Sequence, residues 1–274
     1  MKALKLHSVK EPAPFFGRTV SYKDYDYDKV IKEDCFIELE GNMPMYYIKL
    51  SNLHSALRYS LNNLKFHETI RSNGIKSHAS VLIGNKPANP SKEDFCHKAT
   101  IQLQHGREHE VLMQTAQLLS DEFQAWMPRY NELAKGLLSL PRHKILPNYM
   151  IGETVFTSGI VNKNNPIAYH YDTANMSGCL SCLLVVRGNM AGGLLVLPEY
   201  RAAIACQDEY LLIFNGRKIL HGVSELIPLA GAINPYRYSI VFYTIENMTK
   251  CLANQAEALE RQQNSLDKHY TKSK

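Results

Sequence analysis

The sequence predicts an α+β protein with a jelly-roll or antiparallel sandwich core that helices buttress. After Pro147, several segments rich in β-branched and aromatic residues follow one another, separated by turns that contain Gly or Asn. Two long segments with helical periodicity come before them. A succession of β-rich segments without helices between them is typical of antiparallel sandwiches and jelly rolls.

The first 145 residues are predicted to form an N-terminal arm and mainly helical support. Residues 1–33 mix Pro, Tyr, Lys and Asp without a clear period, and we expect an extended arm or irregular cap there. The segments CFIELE and MYYIKL flank a GNMP turn signal, which predicts a short hairpin. Leucines at helical spacing then predict a helix over residues 53–66.

Apolar residues on one helical stripe predict a helix over 108–126, which Pro128 is expected to end or kink. A second helix is predicted over 131–140, where Pro141 stops it. Both helices are interpreted as buttresses against one face of a sheet. Trp126, the single tryptophan, is expected to lie in the core.

The predicted jelly roll occupies residues 146–246. Its β-rich segments are ETVFTSGIVN, CLSCLLVVR, GGLLVLPEY, EYLLIFN and RYSIVFYTIE. Residues 247–274 place leucines seven apart among Gln, Glu and Ala, which predicts a C-terminal helix and a basic tail. We expect these parts to form a single domain of 274 residues.

The composition, with 45% hydrophobic and 21% charged residues, is that of an ordinary globular protein. No apolar run is long enough to span a bilayer and the first ten residues lack the apolar part of a secretory signal, so we expect an intracellular protein. Six scattered cysteines favour reduced thiols, and the CxxC pair Cys179 and Cys182 is interpreted as core. The net charge of +5 permits an acidic partner such as nucleic acid, whereas no segment indicates a protein partner.

Three residues have the pattern of a metal site. In YHYDTAN, His170 and Asp172 are separated by one residue, and such a pair on an extended strand points to one face. His221 follows in FNGRKILHGVSEL, at the end of a predicted strand. Two imidazoles and a carboxylate on one face of Fe(II) form a facial triad, which leaves coordination positions open for a cosubstrate and O2. We therefore interpret these three residues as iron ligands.

The order of the motifs HxD, HG and RxS resembles that of the Fe(II)/2-oxoglutarate dioxygenases. The segments YHYDTANMSGCLSCLLVV, MAGGLLVLPEY, ILHGVSELIP and YRYSIVFYT are similar to the TET and J-binding-protein family, with a looser likeness in RSNGIKSHASVLIG. The resemblance implies a double-stranded β-helix core and a dioxygenase that uses Fe(II), 2-oxoglutarate and O2. It also implies oxidation of the methyl group of 5-methylcytosine, or of thymine, in DNA.

The same resemblance assigns roles to residues around the triad. Arg237 and Ser239 are expected to hold the far carboxylate of 2-oxoglutarate. Asn175 is expected to contact the target base, because an amide both donates to and accepts from a pyrimidine edge; an Asn beside a turn also commonly bonds its own backbone. Two further candidates come from position alone: Asn162 for the cosubstrate, and Arg71 for a cosubstrate carboxylate or a phosphate.

A base inside a duplex cannot present its methyl group to a buried metal, so a DNA substrate is expected to be single-stranded or to have its target base flipped. Two alternatives stay open. One is a 2-oxoglutarate-dependent hydroxylase of a protein side chain or a small metabolite, since the fold serves many substrates. The other is a DNA-binding module with a vestigial metal site, against which the intact ligand positions argue. The length fits a stand-alone enzyme, including a virus-encoded one.

Overall fold

A computed structural model describes the chain at residues 2–20, 26–41, 43–70, 76–88, 96–99, 101 and 105–252. Its strands are β1 (Lys2–Leu6), β2 (Lys29–Ile31), β3 (Cys35–Leu39), β4 (Met43–Lys49), β5 (His67–Ile70), β6 (Lys76–Lys86), β7 (His97–Lys98), β8 (Ser158–Lys163), β9 (Ile167–His170), β10 (Ser181–Gly188), β11 (Met190–Gly192), β12 (Leu195–Leu197), β13 (Ala202–Ile204), β14 (Tyr210–Phe214), β15 (His221–Val223), β16 (Leu226–Pro228) and β17 (Tyr236–Tyr243). Its α-helices are α1 (Leu57–Asn63), α2 (Gly106–Trp126) and α3 (Pro128–Ser139).

The strands form two main sheets. Within the described residues, the larger sheet has ten strands, in the order β1-β3-β4-β14-β10-β17-β8-β6-β5 with β7 beside β6. The smaller sheet has five, in the order β2-β13-β12-β15-β9, and β11 pairs with β16 in a separate ribbon. The two sheets pack face to face as the two walls of a jelly roll, so the predicted α+β class with a jelly-roll core is confirmed.

Alternate residues of strand β10 pack on opposite faces of the larger sheet, one towards the helices and one towards the smaller sheet. Its side chains alternate between the two faces of the sheet, as in any strand. Cys182 and Leu184 belong to the cluster that contains Leu119 of α2. Leu183 packs in the other cluster, between the two sheets. Because both faces of β10 are covered, its sequence reads as a continuous apolar run.

The N-terminal arm is more ordered than the sequence predicted. Strand β1 lies parallel to β3 at one edge of the larger sheet, and β2 lies parallel to β13 at one edge of the smaller sheet. Of the two expectations for residues 1–33, an extended arm fits these segments, whereas an irregular cap does not. The predicted hairpin is confirmed, since β3 and β4 pair antiparallel.

The helices differ from the prediction at their ends. The helix predicted over 53–66 is the shorter α1, and α3 begins at Pro128 rather than after it. Proline is favoured at the first position of a helix, where its missing N–H needs no partner. Trp126 is 40% exposed and stacks on Tyr46 with ring centroids 5.2 Å apart, so its assignment to the core is wrong.

The cysteines differ in their oxidation state. Cys96 and Cys251 form a disulfide, so the expectation of reduced thiols is wrong for this pair, whereas Cys179 and Cys182 are free and buried as predicted. Most of the predicted C-terminal helix, from residue 253 onward, lies outside the described residues. Among the helices that are described, none has both the length and the apolar character needed to cross a membrane.

Candidate metal centre and substrate cavity

The two histidines of the predicted triad lie on neighbouring strands of the smaller sheet. His170 ends β9 and His221 begins β15, and the two residues are direct partners in the antiparallel pairing. Asp172 follows just beyond the end of β9 and comes to the same side as His170. The ring centroids of the two histidines are 4.4 Å apart. Strand pairing thus brings together residues that are far apart in sequence.

Both imidazoles are fixed in the same way by the backbone. The Nδ1 atom of His170 lies 2.8 Å from the carbonyl oxygen of Ala168, and Nδ1 of His221 lies 2.8 Å from that of Ile219. A carbonyl oxygen only accepts hydrogen bonds, so each Nδ1 carries the proton when the ring is neutral. Each Nε2 is then left with a lone pair, which is the tautomer that a metal ligand requires.

The three candidate ligand groups converge. Nε2 of His170 lies 3.4 Å from Oδ1 of Asp172, and Nε2 of His221 lies 3.7 Å from Oδ2 of the same carboxylate. All three ligand atoms lie within 4.8 Å of one another, and this is the one such group among the residues that the structure describes. Both histidines are buried. The donor set and its spacing fit a facial triad on Fe(II).

The Asp172 carboxylate is placed by a tight turn after β14. The backbone N–H of Asp172 donates to the carbonyl oxygen of Gly216 at 2.9 Å. A Cβ atom at residue 216 would lie 2.3 Å from Oδ2 of Asp172, which is far too close for any side chain. Glycine at this position therefore leaves the space that the carboxylate occupies.

We expect Gly216→Ala to weaken metal binding about tenfold to a hundredfold, the range for changes just outside a ligand shell. The added methyl group must displace the Asp172 carboxylate from its place between the histidines. Calorimetric titration with Mn²⁺ in the absence of O2 measures the affinity without relying on turnover. Gly136→Ala is the matched control, since nothing lies within 4 Å of a Cβ there. Equal affinities of the two variants would contradict this role of Gly216.

A cavity of about 360 Å³ lies over the three groups, between the two sheets. Most of its wall is apolar, from residues of both sheets such as Leu183, Leu195, Phe214 and Val223. The predicted site residues that line it, besides the triad, are Asn162, Asn175 and Ser239. Arg71 lies outside the described residues, so its contact stays a prediction.

Arg237 does not itself line the cavity, but it lies two residues before Ser239 and on the same face of β17. Its side chain is fully buried, and among the described residues its Nε and Nη2 atoms have no hydrogen-bond partner. Burial lowers the pKa of Arg237, with a smaller opposing effect from Cys206. A buried guanidinium with unpaired donors calls for an anion, and the fork geometry suits a carboxylate.

The backbone of Arg237 is held by the turn that follows β8. Its N–H donates to Oδ1 of Asn164 at 2.6 Å, and the N–H of Asn164 donates back to its carbonyl oxygen at 2.8 Å. Asn164 has a φ of 44°, a left-handed conformation that Asn tolerates better than most residues. Asn162 donates from its side-chain amide to Ser239 Oγ at 3.3 Å. These two pairs of contacts hold the predicted cosubstrate residues where β17 pairs with β8.

Asn175 is held at three points. Its backbone N–H donates to the carbonyl oxygen of Asp172 at 3.0 Å, and its side-chain amide donates to Ser181 Oγ at 3.0 Å. Arg217 donates to its backbone carbonyl oxygen and also pairs with Glu246. Asn175 therefore lies at a fixed place in the cavity wall, close to the metal-binding groups.

Comparison with known proteins gives the family. The sequence model of the TET/JBP family, described as the oxygenase domain of the 2-oxoglutarate- and Fe(II)-dependent oxygenase superfamily, matches residues 84–246. The chain belongs to the TET/JBP family. The match covers more than half of the chain and includes all three metal-binding candidates. The protein is accordingly an oxygenase of a superfamily that uses Fe(II), 2-oxoglutarate and O2.

Two similar proteins are informative in different ways. The bifunctional helicase and thymine dioxygenase JBP2 of Trypanosoma brucei brucei is 37% identical over 114 residues, which is 42% of this chain and 10% of that protein. The chain thus spans a small part of that relative. NgTET1 in complex with 5mC DNA matches in structure with a TM-score of 0.60 and 12% identity, over 90% of this chain and 92% of that one. At 12% identity, this structural likeness shows that the two proteins share a fold.

In this TET/JBP-family chain, the N-terminal arm supports the metal site in a way that sequence analysis missed. The backbone N–H of Gly17 donates to the carbonyl oxygen of Tyr169 at 2.8 Å, and that of Tyr169 donates to the carbonyl oxygen of Arg18 at 2.9 Å. The arm thereby pairs with the outer edge of β9, next to His170. Phe15 packs edge-on against Tyr169, with centroids 5.8 Å apart. The signal available in the sequence was the cluster of aromatic residues in the arm.

Proposed function

We propose that this TET/JBP-family oxygenase oxidises the methyl group of 5-methylcytosine, or of thymine, in DNA. The observation that carries the proposal is the convergence of His170, Asp172 and His221 within 4.8 Å beneath a cavity between the sheets. The names of similar proteins support the choice of substrate, since JBP2 is called a thymine dioxygenase and NgTET1 is described with 5mC DNA.

The three triad residues would hold Fe(II), and Arg237 with Ser239 would hold the far carboxylate of 2-oxoglutarate. When bound, the metal and its cosubstrate use O2 to convert a C–H bond of the substrate into C–OH, with release of CO2 and succinate. One oxygen atom of O2 enters the succinate and the other enters the product.

The residues of this chain provide the geometry for that reaction. The carbonyl oxygens of Ala168 and Ile219 keep the two imidazoles in the metal-binding tautomer. The planar guanidinium group of Arg237 offers unpaired N–H donors to a carboxylate. The apolar walls of the cavity limit access of water to the reacting atoms.

The shape of the site implies how DNA would enter. The cavity lies between two sheets and its metal-binding histidines are buried, with 2% and 4% of their surfaces exposed. A paired base cannot reach such a position from within a duplex. We therefore propose that the substrate is a single strand or a duplex with its target base flipped out.

Substrate-stimulated formation of succinate tests the proposal. With Fe(II), ascorbate and 2-oxoglutarate present, oligonucleotides that contain 5-methylcytosine or thymine should raise succinate formation above the level without substrate. The matched oligonucleotides with cytosine and uracil lack only the methyl group and serve as controls. Stimulation by a peptide or a small metabolite, together with no response to any DNA, would replace this proposal by the alternative hydroxylase.

We expect Asn175→Ala to lose oxidation of DNA far more than the slow decarboxylation of 2-oxoglutarate that occurs without substrate. The Asn175 amide contacts neither iron-binding nor cosubstrate-binding groups, so its loss should misplace the base by about 1 Å and reduce the rate on the order of a hundredfold. Both rates are measured on the same preparation.

The control for that variant is Asn52→Ala, because Asn52 is exposed and its side-chain oxygen accepts a hydrogen bond from the neighbouring Ser51 hydroxyl at 3.3 Å. An equal loss of both activities in Asn175→Ala would assign Asn175 to the metal site or to the fold instead of the base.

A further inference from the structure

The N-terminal arm places an exposed aromatic side chain beside the cavity. Phe16 is 50% exposed, although its neighbour Phe15 is buried against Tyr169. The ring of Phe16 stacks on that of Tyr171, with centroids 6.3 Å apart and planes inclined by 20°. Tyr171 is itself part of the cavity wall. The two rings therefore extend the cavity wall outward onto the protein surface.

The backbone around Phe16 is fixed, so the ring has a defined place. Phe16 closes a short helical turn, its N–H donating to the carbonyl oxygen of Ala13. The next residue, Gly17, is bonded to β9 through the carbonyl oxygen of Tyr169. Gly17 has a φ of 77°, which favours glycine, and this turn directs the chain onto the strand edge. A ring held in this way loses little conformational entropy when a ligand stacks on it.

The geometry points to a second binding site, in which Phe16, backed by Tyr171, stacks on a nucleobase that flanks the target base in the DNA substrate. This inference rests on the proposed function and adds a surface to it. A target base that leaves its strand to enter the cavity exposes the face of its neighbour. An aromatic ring next to the cavity can cover that face, and such stacking tolerates any base sequence.

Two observations favour a nucleobase as the occupant of this surface. The surface is continuous with the cavity through Tyr171, so a group stacked on Phe16 would lie directly beside a substrate in the cavity. The arm also carries two cations near this surface: the Nζ atom of Lys10 and the guanidinium carbon of Arg18, which also pairs with Asp26, lie 5.5 Å and 4.8 Å from the ring centroid of the neighbouring Phe15. Aromatic rings flanked by cations are the usual surface for unpaired nucleic acid.

The inference is tested by changing the protein and the DNA separately and together, as in a double-mutant cycle. Binding of a fluorescent single-stranded oligonucleotide with one 5-methylcytosine is measured by anisotropy, for wild type and Phe16→Ala, with Mn²⁺ and 2-oxoglutarate. The same measurements use oligonucleotides that have an abasic site directly before or directly after the target. We expect Phe16→Ala to weaken binding of the intact oligonucleotide roughly tenfold to a hundredfold, the range of one base–aromatic stack.

The inference predicts that one of the two abasic oligonucleotides shows the same loss with wild type and no further loss with Phe16→Ala. Phe16→Trp, which keeps an aromatic ring, should retain the affinity of wild type. Ile233→Ala is the control for general surface hydrophobicity, because Ile233 is 78% exposed on a different loop.

The inference would be overturned if, at both abasic positions, the loss of affinity from the missing base added fully to the loss from Phe16→Ala. It would also be overturned if Phe16→Ala bound the intact oligonucleotide as tightly as wild type. A failure of the proposed function is distinguishable, because wild type would then bind the 5-methylcytosine oligonucleotide no better than a peptide control and would not oxidise it.

Discussion

Asp172→Ala should abolish turnover of 2-oxoglutarate while the protein stays folded. The carboxylate supplies the single oxygen ligand of the proposed triad, and both His170 Nε2 and His221 Nε2 lie within 3.7 Å of it. Two imidazoles alone cannot form the facial arrangement that holds Fe(II). The side chain is only partly buried, so we expect the free energy of unfolding to change by about 1 kcal/mol or less.

Decarboxylation of 2-oxoglutarate and a thermal melt, both on the purified variant, measure these two effects. Asp121→Ala provides a matched control, since Asp121 is an exposed carboxylate on α2 that bonds Gln117 within the same helix. Decarboxylation near the wild-type rate in the Asp172 variant would show that the triad is wrongly assigned.

Arg237→Lys should raise the Michaelis constant for 2-oxoglutarate about tenfold to a hundredfold. Lysine keeps the positive charge but loses the planar fork that binds a carboxylate through two hydrogen bonds. The guanidinium has unpaired donors within the described residues, and Arg237 shares one face of β17 with Ser239, which lines the cavity. Steady-state kinetics with varied 2-oxoglutarate measure the change.

Thermal stability gives a second, independent test of Arg237. Burial lowers the pKa of its guanidinium, which means that the charged form is disfavoured in the folded protein without a ligand. Arg237→Met should therefore raise the melting temperature of the ligand-free protein and remove its stabilisation by 2-oxoglutarate. Arg129→Met on the exposed side of α3 is the matched control for the change in melting temperature. An unchanged Michaelis constant in Arg237→Lys would contradict the assigned role.

The metal site was accessible from the sequence because its pattern is local. The spacing of His170 and Asp172 places both side chains on one face wherever the backbone is extended. The partner histidine could be named because His221 follows a β-rich run and precedes a glycine. The structure adds the pairing of His170 with His221, which no periodicity could predict.

Other parts of the site depend on contacts between distant segments, and these left no local pattern. Gly216 reads as an ordinary turn glycine, and its closeness to Asp172 depends on how the turn after β14 folds over the end of β9. The arm showed no period, because its strands β1 and β2 are short edges whose partners decide their place. At Pro128 both rules hold, since α2 ends at Trp126 before the proline, as predicted, and Pro128 then takes the first position of α3.

We propose that this chain oxidises a methyl group on a pyrimidine of DNA. Mass spectrometry of nucleosides tests it most directly, after incubation of methylated DNA with the protein, Fe(II), ascorbate and 2-oxoglutarate. We expect 5-hydroxymethylcytosine from 5-methylcytosine, or the hydroxymethyl product of thymine, in wild type but not in Asp172→Ala or without 2-oxoglutarate. Unchanged nucleosides, alongside decarboxylation stimulated by a peptide or a metabolite, would contradict it.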